Sequence, residues 1–315
     1  MNLDAENGFS KTHGRTRHST PVVVDSVCFD IVEGRKNNKG TVRLLDNVST
    51  VFENGAMSAI MGPSGAGKTT LLDIVSCRKT RGEISGSVRF GSRDATKKTF
   101  KECAAYVEQF DTLLPMLTVE ETLYYWSEMQ AKTQADAELK KERVSEILQH
   151  LNLTSCKDVI VGDALNRGIS GGQAKRTNIA LALVTDPDVL FLDEPTSGLD
   201  SQSSVEVVKI LRNLADTGVT VVATIHSPTP DAFRYFDTLC MLKKGKMTFT
   251  GPIFDDTAGA KYSAISYFAS VGFKWDTKSN LADFLTTTCA LEDLDFEDAF
   301  RNSQYGNCLL YTSDA

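Results

Sequence analysis

Gly62-Pro63-Ser64-Gly65-Ala66-Gly67-Lys68-Thr69 has the pattern G-x-x-x-x-G-K-[ST] of a phosphate-binding loop. Each residue type has a physical reason. Glycines let the backbone turn tightly and face its N–H groups inward around an anion. Lys68 is a point charge for the β- and γ-phosphates. Thr69 offers a hydroxyl to Mg²⁺, and Thr70-Leu71-Leu72-Asp73-Ile74 opens a helix whose positive end faces the phosphates. Met57 to Met61, just upstream, reads as a short buried strand. Strand before and helix after separate this stretch from a glycine-rich turn that matches by chance. Gly62, Pro63, Ser64, Gly65, Ala66, Gly67, Lys68, Thr69 and Thr70 are therefore the candidate nucleotide- and Mg²⁺-binding residues.

Working outward, Val22-Val23-Val24 and Val27 to Ile31 read as strand, Gly34 to Gly40 as a polar loop, Val42 to Phe52 as a second strand region and Glu53-Asn54-Gly55 as a turn. Ile84 to Phe90 alternates at period two. These segments predict a small antiparallel sheet beside the nucleotide core. Cys103 to Val107 is a short apolar strand that ends in Glu108-Gln109-Phe110-Asp111. Thr118-Val119-Glu120-Glu121 has the form of a capping box and starts a helix through Leu123, Tyr124 and Trp126. A second helix over about Asp136 to Leu151 places Val144, Ile147, Leu148 and Leu151 on one face. Both stripes are core packing, with His150 at the surface or boundary. The runs Val189 to Leu192 and Thr220 to Ile225 are continuously apolar, as parallel strands buried on both faces are. The amphipathic segment Ser204 to Leu214 between them predicts a βαβ crossover. Leu239 to Phe249 reads as a hairpin around Lys243-Lys244-Gly245-Lys246.

Four further stretches make a phosphate loop specific. Asp193 and Glu194 end an apolar strand. There Asp193 can hold Mg²⁺ and Glu194 can polarise an attacking water; the alternative is a pair of acids that cap a buried strand. Ile169-Ser170-Gly171-Gly172-Gln173 opens a helix with Ser170 as N-cap and the Gly171 and Gly172 amides at its positive end. The chain already has one phosphate loop, so this second anion site is expected to serve a nucleotide held by another copy or partner. His226 follows a strand where a γ-phosphate would lie and can sense it; an isolated strand-end histidine is more often structural. Gln109 is placed to touch Mg²⁺ or the attacking water, and Ser197-Gly198-Leu199-Asp200 lies where it can communicate across a dimer.

Bulk properties exclude other classes. A formal net charge of -7 argues against a general nucleic-acid binder. Seven cysteines, Cys28, Cys77, Cys103, Cys156, Cys240, Cys289 and Cys308, are scattered without a C-x-x-C pair, which predicts reduced thiols and no zinc site. No apolar run approaches the roughly 18 residues of a membrane span. Met1 to Thr20 is polar, with the basic cluster Arg15-Thr16-Arg17-His18. It is expected to be a disordered tail without a secretory signal, its His13 and His18 solvated.

Together these residues resemble the nucleotide-binding domain of an ABC transporter. Gly62–Thr69 is similar to Walker A, Gln109 to the Q-loop, Ile169–Gln173 to the LSGGQ-type signature, Val189–Glu194 to Walker B, Ser197–Asp200 to the D-loop and His226 to the switch histidine. All occur in family order, and the resemblance spans about Val22 to Thr288. It implies an α/β P-loop NTPase fold: a RecA-like parallel sheet, an antiparallel β-subdomain, and an α-helical signature subdomain over about 112–185. It also implies two ATP bound head to tail between two such domains. Ser170, Gly171, Gly172, Gln173 and Asp200 then join the nucleotide-binding set; Glu194, His226 and Gln109 form the catalytic set; and Thr69, Gln109 and Asp193 are the Mg²⁺ set.

Arg167-Gly168-Ile169-Ser170-Gly171-Gly172-Gln173-Ala174-Lys175-Arg176 after Val161-Gly162-Asp163, with His226-Ser227-Pro228, Tyr267-Phe268, Val271-Gly272-Phe273 and Asn280-Leu281-Ala282-Asp283-Phe284, resembles the G subfamily. Departures from its pattern are Gln173-Ala174 for E-R, Ser227 for Gln and Leu281 for Pro. In the half-transporter type of that subfamily this domain precedes the membrane domain, and Met1 so near the first strand fits that order.

The implied protein is an ATPase subunit on the cytoplasmic face of a membrane. It exports lipids, sterols or other hydrophobic compounds, with a second nucleotide-binding domain, identical or different, and a C-terminal transmembrane domain as partners, and no nucleic acid. Phe29 is the nearest candidate for an adenine-stacking aromatic, with a strand-core role as the alternative. The expected organisation is a tail over 1–20, the cassette over 21–288 and a linker over 289–315. Leu309 to Ala315 resembles translated adapter read-through, so the native chain is expected to continue into about six membrane helices. Two other readings are a soluble ABC ATPase without a membrane domain and a binding-only regulatory cassette. One cassette without a long coiled coil disfavours the first. Intact Lys68, Gln109, Asp193, Glu194 and His226 disfavour the second.

Overall fold

The computed structural model describes residues 19–33, 40–130, 137–163, 165–254, 263–291, 296–301 and 303. The expectations for the tail with His13 and His18, for residues 34–39 of the polar loop, for Asp136 and for the end from 304 onward lie outside them.

β1 (Val22–Glu33) and β2 (Gly40–Phe52) pair antiparallel. The expected break after Val24 is a register shift inside one strand, with Ser26 at φ 51°; a β-bulge bends a strand without ending it. β3 (Met57–Met61) is buried at every residue and leads through the glycine-rich loop into α1 (Lys68–Val75). β4 (Glu83–Phe90) and β5 (Arg93–Asp94) complete an antiparallel sheet of order β2-β1-β4-β5. The alternation in β4 does not correspond to a buried face: Ile84 is exposed and only Phe90 is fully covered.

α2 (Lys97–Cys103) precedes β6 (Ala104–Val107), so Cys103 ends a helix instead of opening the strand. Thr96 and Thr99 cap α2 reciprocally. With threonine in place of Glu or Gln at the third position, that helix start is hard to recognise in the sequence. α3 (Val119–Gln130) begins at the anticipated box, where Glu121 N–H donates to Thr118 Oγ1 at 3.2 Å and Thr118 N–H to Glu121 Oε2 at 2.9 Å. α4 (Ala137–His150) buries Val144, Ile147 and Leu148 against α3 and α5 (Gly171–Leu183).

Between α4 and α5 the loop is pinched. Asp163 Oδ1 accepts from the Leu165 and Asn166 N–H groups at 2.8 and 2.7 Å, and these bonds hold its carboxyl below the usual range. A Cβ on Gly168 would lie 2.1 Å from the Val161 carbonyl oxygen, so only glycine fits there.

β7 (Val189–Asp193), α6 (Ser201–Asp216) and β8 (Thr220–Thr224) form the crossover. Both strands are buried throughout, and α6 buries Val207, Val208, Leu211 and Leu214. α7 (Pro230–Phe233) leads to the hairpin β9 (Thr238–Lys243) and β10 (Lys246–Pro252). The second sheet has the order β10-β9-β3-β8-β7-β6, parallel except for β10. α8 (Ala264–Ser270), α9 (Leu281–Ala290) and α10 (Phe296–Arg301) follow. α10 lies within the stretch expected to be linker, yet Phe300 packs edge-on to Phe249 at 5.6 Å and Phe296 is buried. No helix among the described residues is long and apolar enough to cross a membrane.

Candidate functional site

The parallel strands point their C-terminal ends at one edge, where ligands of open α/β sheets bind. The 62–67 loop leaves β3 at that edge. Gly62, Gly65 and Gly67 have φ of 147°, 74° and 103°. A Cβ on Gly62 would sit 2.1 Å from the Leu242 carbonyl oxygen, so β9 backs the loop closely. Lys68 is buried, and its ammonium donates to the Gly62 and Pro63 carbonyls at 2.9 and 3.1 Å. Burial pulls its pKa down, and the Glu194 and Asp193 carboxylates act in the opposite sense. A cation hydrogen-bonded to loop carbonyls, inside a cradle of positive-φ glycines, fits a polyphosphate.

Asp193 ends β7 among hydroxyls. Its Oδ1 accepts from Thr224 Oγ1 at 2.6 Å and from Thr69 Oγ1 at 3.4 Å, and its Oδ2 from the Tyr106 hydroxyl at 3.4 Å. Oxygen donors around a carboxylate suit a hard cation such as Mg²⁺. Burial, followed by the Asp193 charge, pushes the Tyr106 phenol up, so it stays a donor. Glu194 is half-buried at φ 45°; its N–H donates to Thr224 Oγ1 at 2.9 Å, and its Oε2 accepts from Gln109 Nε2 at 2.8 Å. One threonine hydroxyl thus ties the Asp193 side chain to the Glu194 backbone. Neither Thr224 nor Tyr106 stood out in the sequence, each being a polar group inside an apolar run.

His226 is exposed just past β8, before Ser227 at φ 48°. A cleft of about 210 Å³ is lined by Glu194, Ser197, Leu199, His226 and Thr229, among others, so the structure places His226 and the acid on one opening. Asn280 caps α9 through its Oδ1 and donates from Nδ2 to the Pro228 carbonyl at 2.9 Å, tying the segment after His226 to the body.

Ser170 caps α5: Gln173 N–H donates to Ser170 Oγ at 3.2 Å, and Ser170 N–H to Gln173 Oε1 at 2.8 Å. A glutamine therefore does here what a glutamate would do in a capping box, without adding charge to a helix end that attracts anions. A Cβ on Gly172 would touch Ser203 Oγ at 3.1 Å and one on Gly171 would approach Leu199, so α5 starts against the Ser197–Asp200 turn. The Asp200 carboxylate caps α6, accepting from Ser203 N–H at 2.9 Å and Ser203 Oγ at 2.8 Å. No hydrogen bond joins Ser170–Gln173 to the 62–69 loop among the described residues. Phe29 is fully buried, with Lys79 over its ring at 5.5 Å and Gly82 against its edge; it is strand core and cannot stack on a base.

Comparison with known proteins gives the class. The ABC transporter family profile matches residues 45–197. The dimeric structure of MJ0796, a bacterial ABC transporter cassette, aligns with a TM-score of 0.59 and 25% identity over 74% of this chain and 99% of that one. MJ0796 bound to ADP and Pi, in a post-hydrolysis state, aligns with a TM-score of 0.58 at the same identity and the same coverage of both chains. The fold is that of an ATP-binding cassette ATPase. The chain belongs to the ABC transporter family, and members of the G family are among the relatives it matches. ABC transporter G family member 41 of Oryza sativa is 38% identical over 279 residues, 86% of this chain and 19% of the relative. ABC transporter G family member 1 of Dictyostelium discoideum is 39% identical over 256 residues, 81% of this chain and 31% of the relative. The chain thus spans less than a third of the length of these relatives.

Proposed function

We propose that this domain powers export of lipids, sterols or other hydrophobic compounds across a membrane, working on its cytoplasmic face as half of a head-to-tail cassette dimer. In this reading residues 21–288 are the cassette, about 112–185 its helical subdomain, and 289–315 lead toward a transmembrane domain of the same native chain. Gly62–Thr70 and Lys68 hold the phosphates. Thr69 and Asp193, with Gln109, hold Mg²⁺, which when bound neutralises phosphate charge. Glu194 accepts a proton from the attacking water, oriented by Gln109, and His226 faces the γ-phosphate. Ser170, Gly171, Gly172 and Gln173, with Asp200 beside them, serve the partner's nucleotide.

One observation carries the reading. Among the described residues the helix start of α1 lies with the carboxylates Asp193 and Glu194, whereas that of α5 makes no hydrogen bond to the 62–69 loop. The start of α5 then needs a second nucleotide. Phe110, and in the helical subdomain Leu114, Met116, Met129 and Leu165, are also exposed, apolar side chains available to a transmembrane partner. Fractionation of cells that make the native protein tests the export reading. An antibody to this domain should find it in membranes after a high-salt wash, on a chain longer than the present one. Native protein released by the wash would overturn export and leave a soluble ATPase.

A further inference from the structure

Lys175 is 2% exposed, on the inner face of α5 one turn from Ser170. Its ammonium lies 2.8 Å from the Gln109 carbonyl oxygen and 2.8 Å from Asp111 Oδ1. Asn178, one turn further along the same face, donates to the same Asp111 oxygen at 2.9 Å. The segment that carries Gln109 is therefore pinned to the signature helix by a buried cation. The Gln109 side chain reaches the other way, to Glu194 Oε2 at 2.8 Å. A continuous path of charge-assisted and amide hydrogen bonds runs from α5 through Gln109 to Glu194. A buried ammonium is costly to desolvate unless it is fully partnered, and a surface lysine would suffice for solubility. Its burial here calls for a reason, and the partners it chooses supply one.

We propose that Lys175 is a positioning residue for Glu194. By fixing the Gln109 main chain it sets the amide that orients the Glu194 carboxylate, and so links the start of the signature helix to the hydrolytic group of the same chain. The inference rests on reading Glu194 as the group that polarises water. Lys175 acts only through Gln109, so the two residues form one unit whose losses do not multiply.

The test is a double-mutant cycle on the present chain, with phosphate release and MgATP affinity measured for Lys175→Met, Gln109→Ala and the double variant. Each single change should lower kcat on the order of tenfold, Lys175→Met with MgATP affinity within about twofold of the parent, and the double variant should fall no further in kcat than the weaker single. Asn178→Ala, which leaves the Lys175 bond to Gln109 intact, should keep turnover within about twofold of the parent. If Lys175→Met does not fold, the cycle is run with Lys175→Gln. Glu194→Gln is measured alongside. Normal turnover in Glu194→Gln would overturn the functional reading beneath the inference. With Glu194→Gln inactive, kcat losses at Lys175 and Gln109 that multiply, or a loss of MgATP affinity in place of kcat in Lys175→Met, would overturn the role of Lys175 alone.

Discussion

Asp200 shows how one side chain can serve the fold at a position the sequence assigns to a ligand. Its carboxylate is held below the usual range chiefly by the Ser203 N–H, then by the Ser203 hydroxyl. A carboxyl with a depressed folded pKa stabilises the fold above its unfolded pKa of about 4 and loses that contribution as pH falls through the folded value. Asparagine caps a helix as well as aspartate but does not titrate. Asp200→Asn should therefore match the parent in urea unfolding at neutral pH and lose less stability than the parent as pH falls below about 4. Parallel acid limbs for the two proteins would contradict this account of the cap. At this scale the sequence showed the groups whose types are dictated by chemistry, such as Lys68, Asp193 and Glu194. It assigned no role to Thr224, Tyr106 or Lys175, the last read only as part of a motif. Each of these has meaning only through a neighbour distant in sequence, and no periodicity marks such a pair.

The start of α5 is where a local pattern and a molecular role coincide. The Ser170 and Gln173 bonds satisfy two orphan donors of the helix, and Leu199 lies beside Gly171 and Ser203 beside Gly172. An arginine at 170 would remove the cap and put bulk and charge where we propose a partner's phosphate binds. Ser170→Arg should leave MgATP binding by the monomer within about twofold of the parent and abolish ATP-driven association. Light scattering of the Glu194→Gln protein with and without Ser170→Arg checks it, and equal dimerisation by both would show that α5 does not serve a second nucleotide. Elements with a strong period or a cap of the usual kind, α3, α4, β7 and β8, were legible in the sequence. α2 was not, because its box uses Thr99 where Glu or Gln is usual. β4 alternates without a buried face because neighbours in three dimensions, not period alone, decide what is covered.

For the whole molecule, the division of labour follows from the sheet. Parallel strands bring Gln109 after β6, Asp193 at the end of β7, Glu194 after it and His226 after β8 to the edge where the glycine-rich loop leaves β3. Order along the sheet, β3-β8-β7-β6, is not order along the chain, so the assembly of the site could be inferred only once the runs at 189 and 220 were read as buried parallel strands. The central claim is that Glu194 polarises the water that attacks ATP held by Lys68 and the loop. Glutamine keeps the shape and the contact with Gln109 but cannot accept the proton. Bound nucleotide and phosphate release, measured together for Glu194→Gln and Lys68→Ala with MgATP, test this most directly. The account predicts that Glu194→Gln retains ATP with turnover at least about a hundredfold down, and that Lys68→Ala loses the ATP itself. Phosphate release by Glu194→Gln at the parent's rate would contradict it.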